Sequence, residues 1–247
     1  ELTTQDDITA DYDHQLNLAL AHGQRALVRS QLGDIDGAQK DTRDSLNILQ
    51  EMHQLNPEDA LVNHYLQQRQ LELSVLEREL GNAEAAQAQV VELARQWNSN
   101  WGGDDNPGTN DRLLGARIFL QAARLSERLG KKDMARTYLD QTYDQLRVLK
   151  AARIPEVQID ASIISAAFTS WELNDGKQDA RFAEYLKEPS EFGEARACDG
   201  ALDQLRLAIM NNDPVRVDYF SGFLKDRNIR HPEFLRVCNA YSVCRVQ

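Results

Sequence analysis

Proline and glycine are scarce, at 6 and 13 of 247 residues, so few positions interrupt a helix. Leu, Ala, Arg and Gln, residues that lose least on entering a helix, are plentiful in their place. Positive charge is in short supply as well. With 28 Lys and Arg against 39 Asp and Glu, the formal net charge is -11 and the pI is near 5.0. Phosphate backbones and anionic lipid need a concentrated positive field, so nucleic acid is not an expected partner of this segment.

Long apolar runs are missing too. No stretch approaches the roughly 18 consecutive apolar residues of a membrane span, and no basic-then-apolar signal peptide opens the chain. No transmembrane span is expected in this segment. Hydrophobic residues still make up 42% of the chain and charged ones 27%, the balance of a chain that buries a sizeable core. Because it opens on Glu1 rather than Met, the expectation is a segment of a longer protein, with any catalytic or anchoring domain upstream. Both the bacterial cytoplasm and the extracytoplasmic face of a membrane-anchored protein fit such a segment.

Only three cysteines occur, Cys198, Cys238 and Cys244, in no CxxC or Cys/His metal spacing. They read either as small buried hydrophobes or as one disulfide in an oxidising compartment, joining Cys198 to Cys238 or Cys244. Cys238 and Cys244 are six apart, on different faces of one helix, which disfavours a bridge between them. The five histidines, His14, His22, His53, His64 and His231, form no HExxH and no i, i+4 pair. GxxxxGK[ST], GxGxxG and GxSxG are likewise absent, so phosphate cradling and hydrolase chemistry lack their backbone devices. Neither a catalytic residue, a metal ligand nor a cofactor is expected. The loop "GGDDNPGTND" offers Asp104, Asp105, Asn106 and Asp111 as hard oxygen ligands but fails the calcium-loop spacing, and reads as a solvated connector. Trp97 and Trp101 beside it are expected to close helix ends, and Trp171 to lie in the core.

What the chain does have is a repeat. "RSQLGDIDGAQKDTRDSL" sets Gly33 after a helical run and Ala38 five residues on; Gly81 with Ala86 and Gly130 with Ala135 repeat the pattern Leu-Gly-x-x-x-x-Ala. Weaker copies place Asn174 with Ala180, and Asn212 with Val217, Asn being the residue that next best tolerates a left-handed turn. Successive turn positions lie 48, 49, 44 and 38 residues apart. Each unit then reads as two helices with the small residue at their close contact. Leu66, Leu73, Leu76 and Leu80, and Leu113, Leu114, Ile118, Leu120, Leu125 and Leu129, keep a helical period, and alternating strand patterns are absent.

The stretch "LGDIDGAQKDTRDSLNILQEMHQLNPED" resembles a tetratricopeptide (TPR) unit, with its Gly-Asp turn, small residue five on and terminal Asn-Pro. Arg29, Glu77 and Ser126 stand where that family has an aromatic residue. The resemblance implies an all-α, right-handed α-α superhelix, a TPR-like solenoid of about five helix pairs: one domain over 1–247, with units near 12–56, 60–98, 110–150, 155–188 and 192–228 and a cap at 231–247. The ending "FLKDRNIRHPEFLRVC" is similar to TPR regions that follow a serine/threonine kinase or winged-helix module in bacterial signalling proteins. Two functional classes follow. The first is a scaffold whose concave groove binds a protein or peptide, or a second copy of the chain. The second is a ligand-sensing or regulatory region whose active domain lies elsewhere.

On the helix "DRLLGARIFLQAARLSERLG" the residues Arg117, Gln121, Arg124 and Arg128 recur at i, i+4, i+7 and i+11 and make one face basic. Counted from the turns, Arg117, Arg124 and Arg128, with Gln68 and Arg78 in the preceding unit, match helix positions that the resemblance places on a concave binding groove. A basic stripe in an acidic chain suits an acidic peptide or a carboxylate, held by bidentate guanidinium contacts. Gly23 and Leu27 stand where carboxylate-clamp TPR domains carry Lys and Asn, which argues against a chaperone tail as ligand. The alternative for the arginines is pairing with nearby glutamates on a solvated face.

Overall fold

The computed structural model describes residues 5–101, 107–152, 157–183, 186 and 198–242. Among these, every regular element is an α-helix and no strand occurs: α1 (Gln5–Gln31), α2 (Ile35–Leu55), α3 (Ala60–Glu79), α4 (Ala83–Trp101), α5 (Thr109–Arg128), α6 (Lys132–Ala151), α7 (Val157–Leu173), α8 (Ala180–Ala183), α9 (Cys198–Met210), α10 (Pro214–Asp226) and α11 (Pro232–Tyr241). The all-α class expected from the sequence is what the chain adopts. Asp104, Asp105 and Asn106 of the acidic loop lie outside the described residues.

One turn device recurs along the chain. Gly33, Gly81 and Gly130 have φ of 84°, 89° and 71°, and the amide after each donates back to a carbonyl five residues earlier: Asp34 to Arg29, Asn82 to Glu77, Lys131 to Ser126. This left-handed stop satisfies the last carbonyls of one helix and turns the chain into the next. Asn212 (φ 52°) and Asn228 (φ 53°) do the same, through Asp213 to Ala208 and Ile229 to Leu224. Five residues after the three glycines, Ala38, Ala86 and Ala135 are each 0% exposed, and Val217 is buried five after Asn212. The small residue therefore sits where two helices meet.

At the fourth turn the expected register is corrected. Asn174 still bonds back to Ser170 as part of the helix, and the left-handed residues are Asp175 and Gly176. Ala180 is exposed, and Phe182 of the short α8 fills the core there instead. The turn at Asn228 was not anticipated.

By their internal contacts the residues fall into two compact units, 1–93 and 94–247, the division falling within α4. In the first, α2 packs on α1 and on α3 around Ala19, Leu49, Met52 and Val62. The Tyr12 phenol donates to Asp59 Oδ2 at 2.8 Å; burial first, and then that carboxylate, push its pKa up to about 12. The same Asp59 caps α3 by accepting from the amides of Leu61 and Val62. In the second unit the apolar helix α7 is central, packing on α5, α6 and α9, with α10 and α11 against α9. Phe168, Phe182, Leu146, Leu149, Ile159, Leu205 and Leu224 are almost fully buried there, each worth roughly 1.5–3 kcal/mol of transfer from water.

Gly115 shows why α5 needs a glycine. A Cβ on it would stand 2.5 Å from the Trp97 indole, which packs edge-on to Phe119 and donates Nε1–H to the Asp111 carbonyl at 3.1 Å. Trp97 is buried at a helix junction, as expected; Trp101 is half-buried. Trp171 departs from expectation: it stacks on Phe168 yet remains only half-buried, and it lines an open pocket.

Candidate functional site

The six residues picked from the sequence fall in different surroundings. In the first unit Gln68 is half-buried and donates to Glu72 at 3.1 Å, while Arg78 is buried and its Nε donates to Glu79 at 2.7 Å. In the second unit α5 carries the other four on one face. Gln121 is buried in the packing. Arg124 is half-buried and reaches α7, donating from Nε to Thr169 Oγ1 at 3.1 Å and from Nη2 to the Ser165 carbonyl at 3.5 Å. Arg117 is half-buried and Arg128 exposed, and neither makes an ion pair among the described residues. The middle of the stripe is thus spent on α5–α7 packing, and its two ends face solvent.

Behind Arg124 lies a polar cluster that sequence reading missed. Arg206 of α9, 5% exposed, donates to Asp203 Oδ1 (2.8 Å), to Ser165 Oγ of α7 (2.9 Å) and to Glu233 Oε1 of α11 (2.8 Å). Arg236 takes both oxygens of Glu233, at 2.9 and 3.0 Å, and reaches Glu172 of α7 at 2.9 Å. Glu172 in turn accepts from the Tyr241 hydroxyl at 2.8 Å. Burial opposes charge on Arg206, but Glu233 and Asp203 outweigh it and hold the guanidinium ionised. Burial pushes the Asp203 carboxyl above the usual carboxylate range despite Arg206 beside it. Burial, then the Glu172 charge, push the Tyr241 phenol up. The signal in the sequence was there: Asp203/Arg206 and Glu233/Arg236 are i, i+3 pairs of opposite charge. That spacing is also the commonest decoration of a solvated helix, and burial is what distinguishes this one.

Beside Tyr241 the second unit opens into a pocket of about 960 Å³. The end of α7, the α9–α10 turn, one face of α10 and the end of α11 enclose it, with Trp171, Tyr241, Asp213, Asp218, Gly222 and Lys225 among its walls. That volume lies within the range of small-molecule sites.

In the first unit His22, Asp41 and Asp44 bring one ligand atom each within 4.8 Å, a grouping of metal-ligand types. Asp41 is already taken by guanidinium groups: Arg25 donates to it from Nε at 2.7 Å and Nη2 at 2.6 Å, and Arg29 approaches to 3.1 Å. The Arg25 hydrogen bonds hold its carboxyl below the usual range against burial. A cation would have to displace two arginines, so the arrangement is a bidentate acid–base clamp between α1 and α2.

No protein-family model matches the chain, and no curated protein matches it.

Proposed function

We propose that this chain is a TPR-like helical-repeat module, a right-handed superhelix of about five helix pairs, that holds an acidic peptide or protein partner and carries out no catalysis of its own. The observation that carries the reading is the repeated turn, a left-handed residue followed by a buried small residue five on, which recurs at Gly33, Gly81 and Gly130 and again at Asn212. Identical turns stack helix pairs in a constant relation, and stacked pairs build extended binding faces. Arg117 and Arg128 supply the partner chemistry. They stand three helical turns apart on α5, roughly 16 Å at 1.5 Å per residue, a span that about five residues of extended peptide cover. Arg124 between them steadies the helix against α7 rather than meeting the partner.

The test uses a fluorescein-labelled oligoglutamate peptide and anisotropy at low salt. Binding is expected to weaken at least tenfold, about 1.4 kcal/mol, in the double variant Arg117→Glu/Arg128→Glu, with helicity by circular dichroism unchanged. No saturable binding by the parent chain, or full binding by the folded variant, overturns the reading.

A further inference from the structure

One pocket of the second unit has an aromatic corner, an acidic wall and a gap in the wall that no described side chain fills. The corner is made by Trp171 and Tyr241, whose ring centroids are 5.6 Å apart with planes tilted by 50°. Both rings are fixed from behind. Trp171 stacks on Phe168 at 5.7 Å, Tyr241 meets the same Phe168 edge-on, and its hydroxyl is held by Glu172. Aromatic rings that line a pocket can offer an organic cation the negative quadrupole of their faces.

Asp213 and Asp218 form the acidic wall. Asp213 has a structural task, capping α10 by accepting from the Arg216 amide at 3.1 Å. The Asp218 carboxylate has no partner among the described residues. The Arg216 guanidinium lies 3.7 Å from Asp213 and offsets its charge, which leaves Asp218 and Lys225 as the remaining charged residues of the lining.

The gap is Gly222. It lies inside α10, where glycine weakens a helix, and a Cβ built on it would meet nothing within 4 Å. Gly115 and Gly23 differ in this respect, because a Cβ on either would strike Trp97 or Arg69. Among the described residues no side chain takes the space at Gly222; Gly200 within α9 is open in the same way, but only Gly222 of the two lies on the pocket.

We infer that this pocket binds a small organic monocation, an ammonium group carried on an apolar body, with Trp171 and Tyr241 against the cation and Asp218 as its counter-charge. The net charge of -11 adds a long-range field that concentrates cations near the chain. The inference concerns the second unit alone and stands apart from the peptide-binding reading.

Choline is the probe, and its neutral isostere 3,3-dimethylbutan-1-ol the control, titrated by calorimetry into the whole chain. Saturable choline binding with Kd below about 10 mM is expected, at least tenfold tighter than the isostere. Gly222→Phe, whose Cβ meets nothing within 4 Å, places a ring at the pocket and is expected to abolish binding while helicity by circular dichroism is retained. Asp218→Asn, at an exposed position, is expected to weaken choline at least tenfold and to leave the isostere unchanged. The inference is overturned by equal binding of choline and the isostere, by no saturable binding, or by undiminished choline binding in folded Gly222→Phe.

Discussion

Two arginine–carboxylate clamps, α1–α2 in the first unit and α7–α9–α11 in the second, are built oppositely. In the first, a buried Asp41 is held by Arg25 and Arg29, whose side chains are 54% and 37% exposed. In the second, Arg206, Asp203 and Glu233 are all buried, with side-chain exposures of 5%, 7% and 6%. A guanidinium that keeps its water loses little on pairing and gains little, and salt screens what it gains. A guanidinium buried with its carboxylates loses its hydration, so the geometry of the bonds must offset the desolvation. The α1–α2 clamp therefore tolerates the loss of one arm. The α7–α9–α11 cluster is a single unit in which no member can be removed alone.

The largest expected effect breaks that contrast directly. Arg206→Ala strands the buried Asp203 without its guanidinium partner and leaves Glu233 to Arg236 alone, and should cost about 3–5 kcal/mol in chemical denaturation. Replacing all three by apolar residues of similar volume, Asp203→Leu, Arg206→Met and Glu233→Leu, should recover most of that loss. Arg25→Ala in the first clamp should shift the transition far less, because Arg29 remains on Asp41. A mild Arg206→Ala, or an Arg25→Ala of equal severity, removes the distinction between the clamps.

A second prediction rests on what the units share. Ala86→Leu in one unit and Ala135→Leu in the other force a larger side chain into fully buried contacts and should each cost about 1–3 kcal/mol by thermal or urea unfolding. Ala180→Leu, at the exposed position of the irregular turn, should stay within about 0.5 kcal/mol of the parent. Equal effects at all three sites would remove the significance of the repeated residue.

Those three alanines also mark how far the sequence was legible. Helix content, three glycine turns and the turn at Asn212 could be read because they rest on local signals: a residue that tolerates positive φ, followed by a small residue in fixed register. The fourth turn was misplaced by a choice within Asn174-Asp175-Gly176, three residues that all suit a left-handed turn. Arg29 and Glu77, which the resemblance set against an aromatic, were seen, but their use was not. Glu77 accepts from Gln39, Arg43 and Asn82, and Arg29 reaches Asp41, so both make polar ties to a neighbouring helix. The candidate stripe was legible as a face but not as a surface, because nothing local says that Arg124 meets Thr169, 45 residues away. The same holds for Cys238. It is disulfide-bonded, one of the two readings left open, and its partner sulfur lies outside the residues whose side chains are described.

The subtlest expected difference between the clamps is in their response to acid. Asp41 has a carboxyl pKa below the unfolded value of 3.8, chiefly through the Arg25 hydrogen bonds. The unfolded chain then binds the proton more readily, so this group contributes stability that is fully present above 3.8 and is lost as pH falls through its folded value. Asp203 has the opposite sign. Burial raises its pKa above 3.8, the folded chain holds the proton more tightly, and its cost is fully present above the folded value and relieved as pH falls toward 3.8. Acidification from neutrality should therefore ease the second clamp before it weakens the first. Native-state amide exchange, followed at α1–α2 and at α7–α9 separately between about pH 6 and pH 3, reads the two slopes apart. Asp41→Asn should flatten the acid limb at α1–α2 and leave α7–α9 unchanged, whereas Asp203→Asn should remove the rise in protection at α7–α9 above 3.8. If both regions lose protection together at one pH, the Asp203 charge is not strained by its burial, and the two clamps differ in exposure but not in energetic kind.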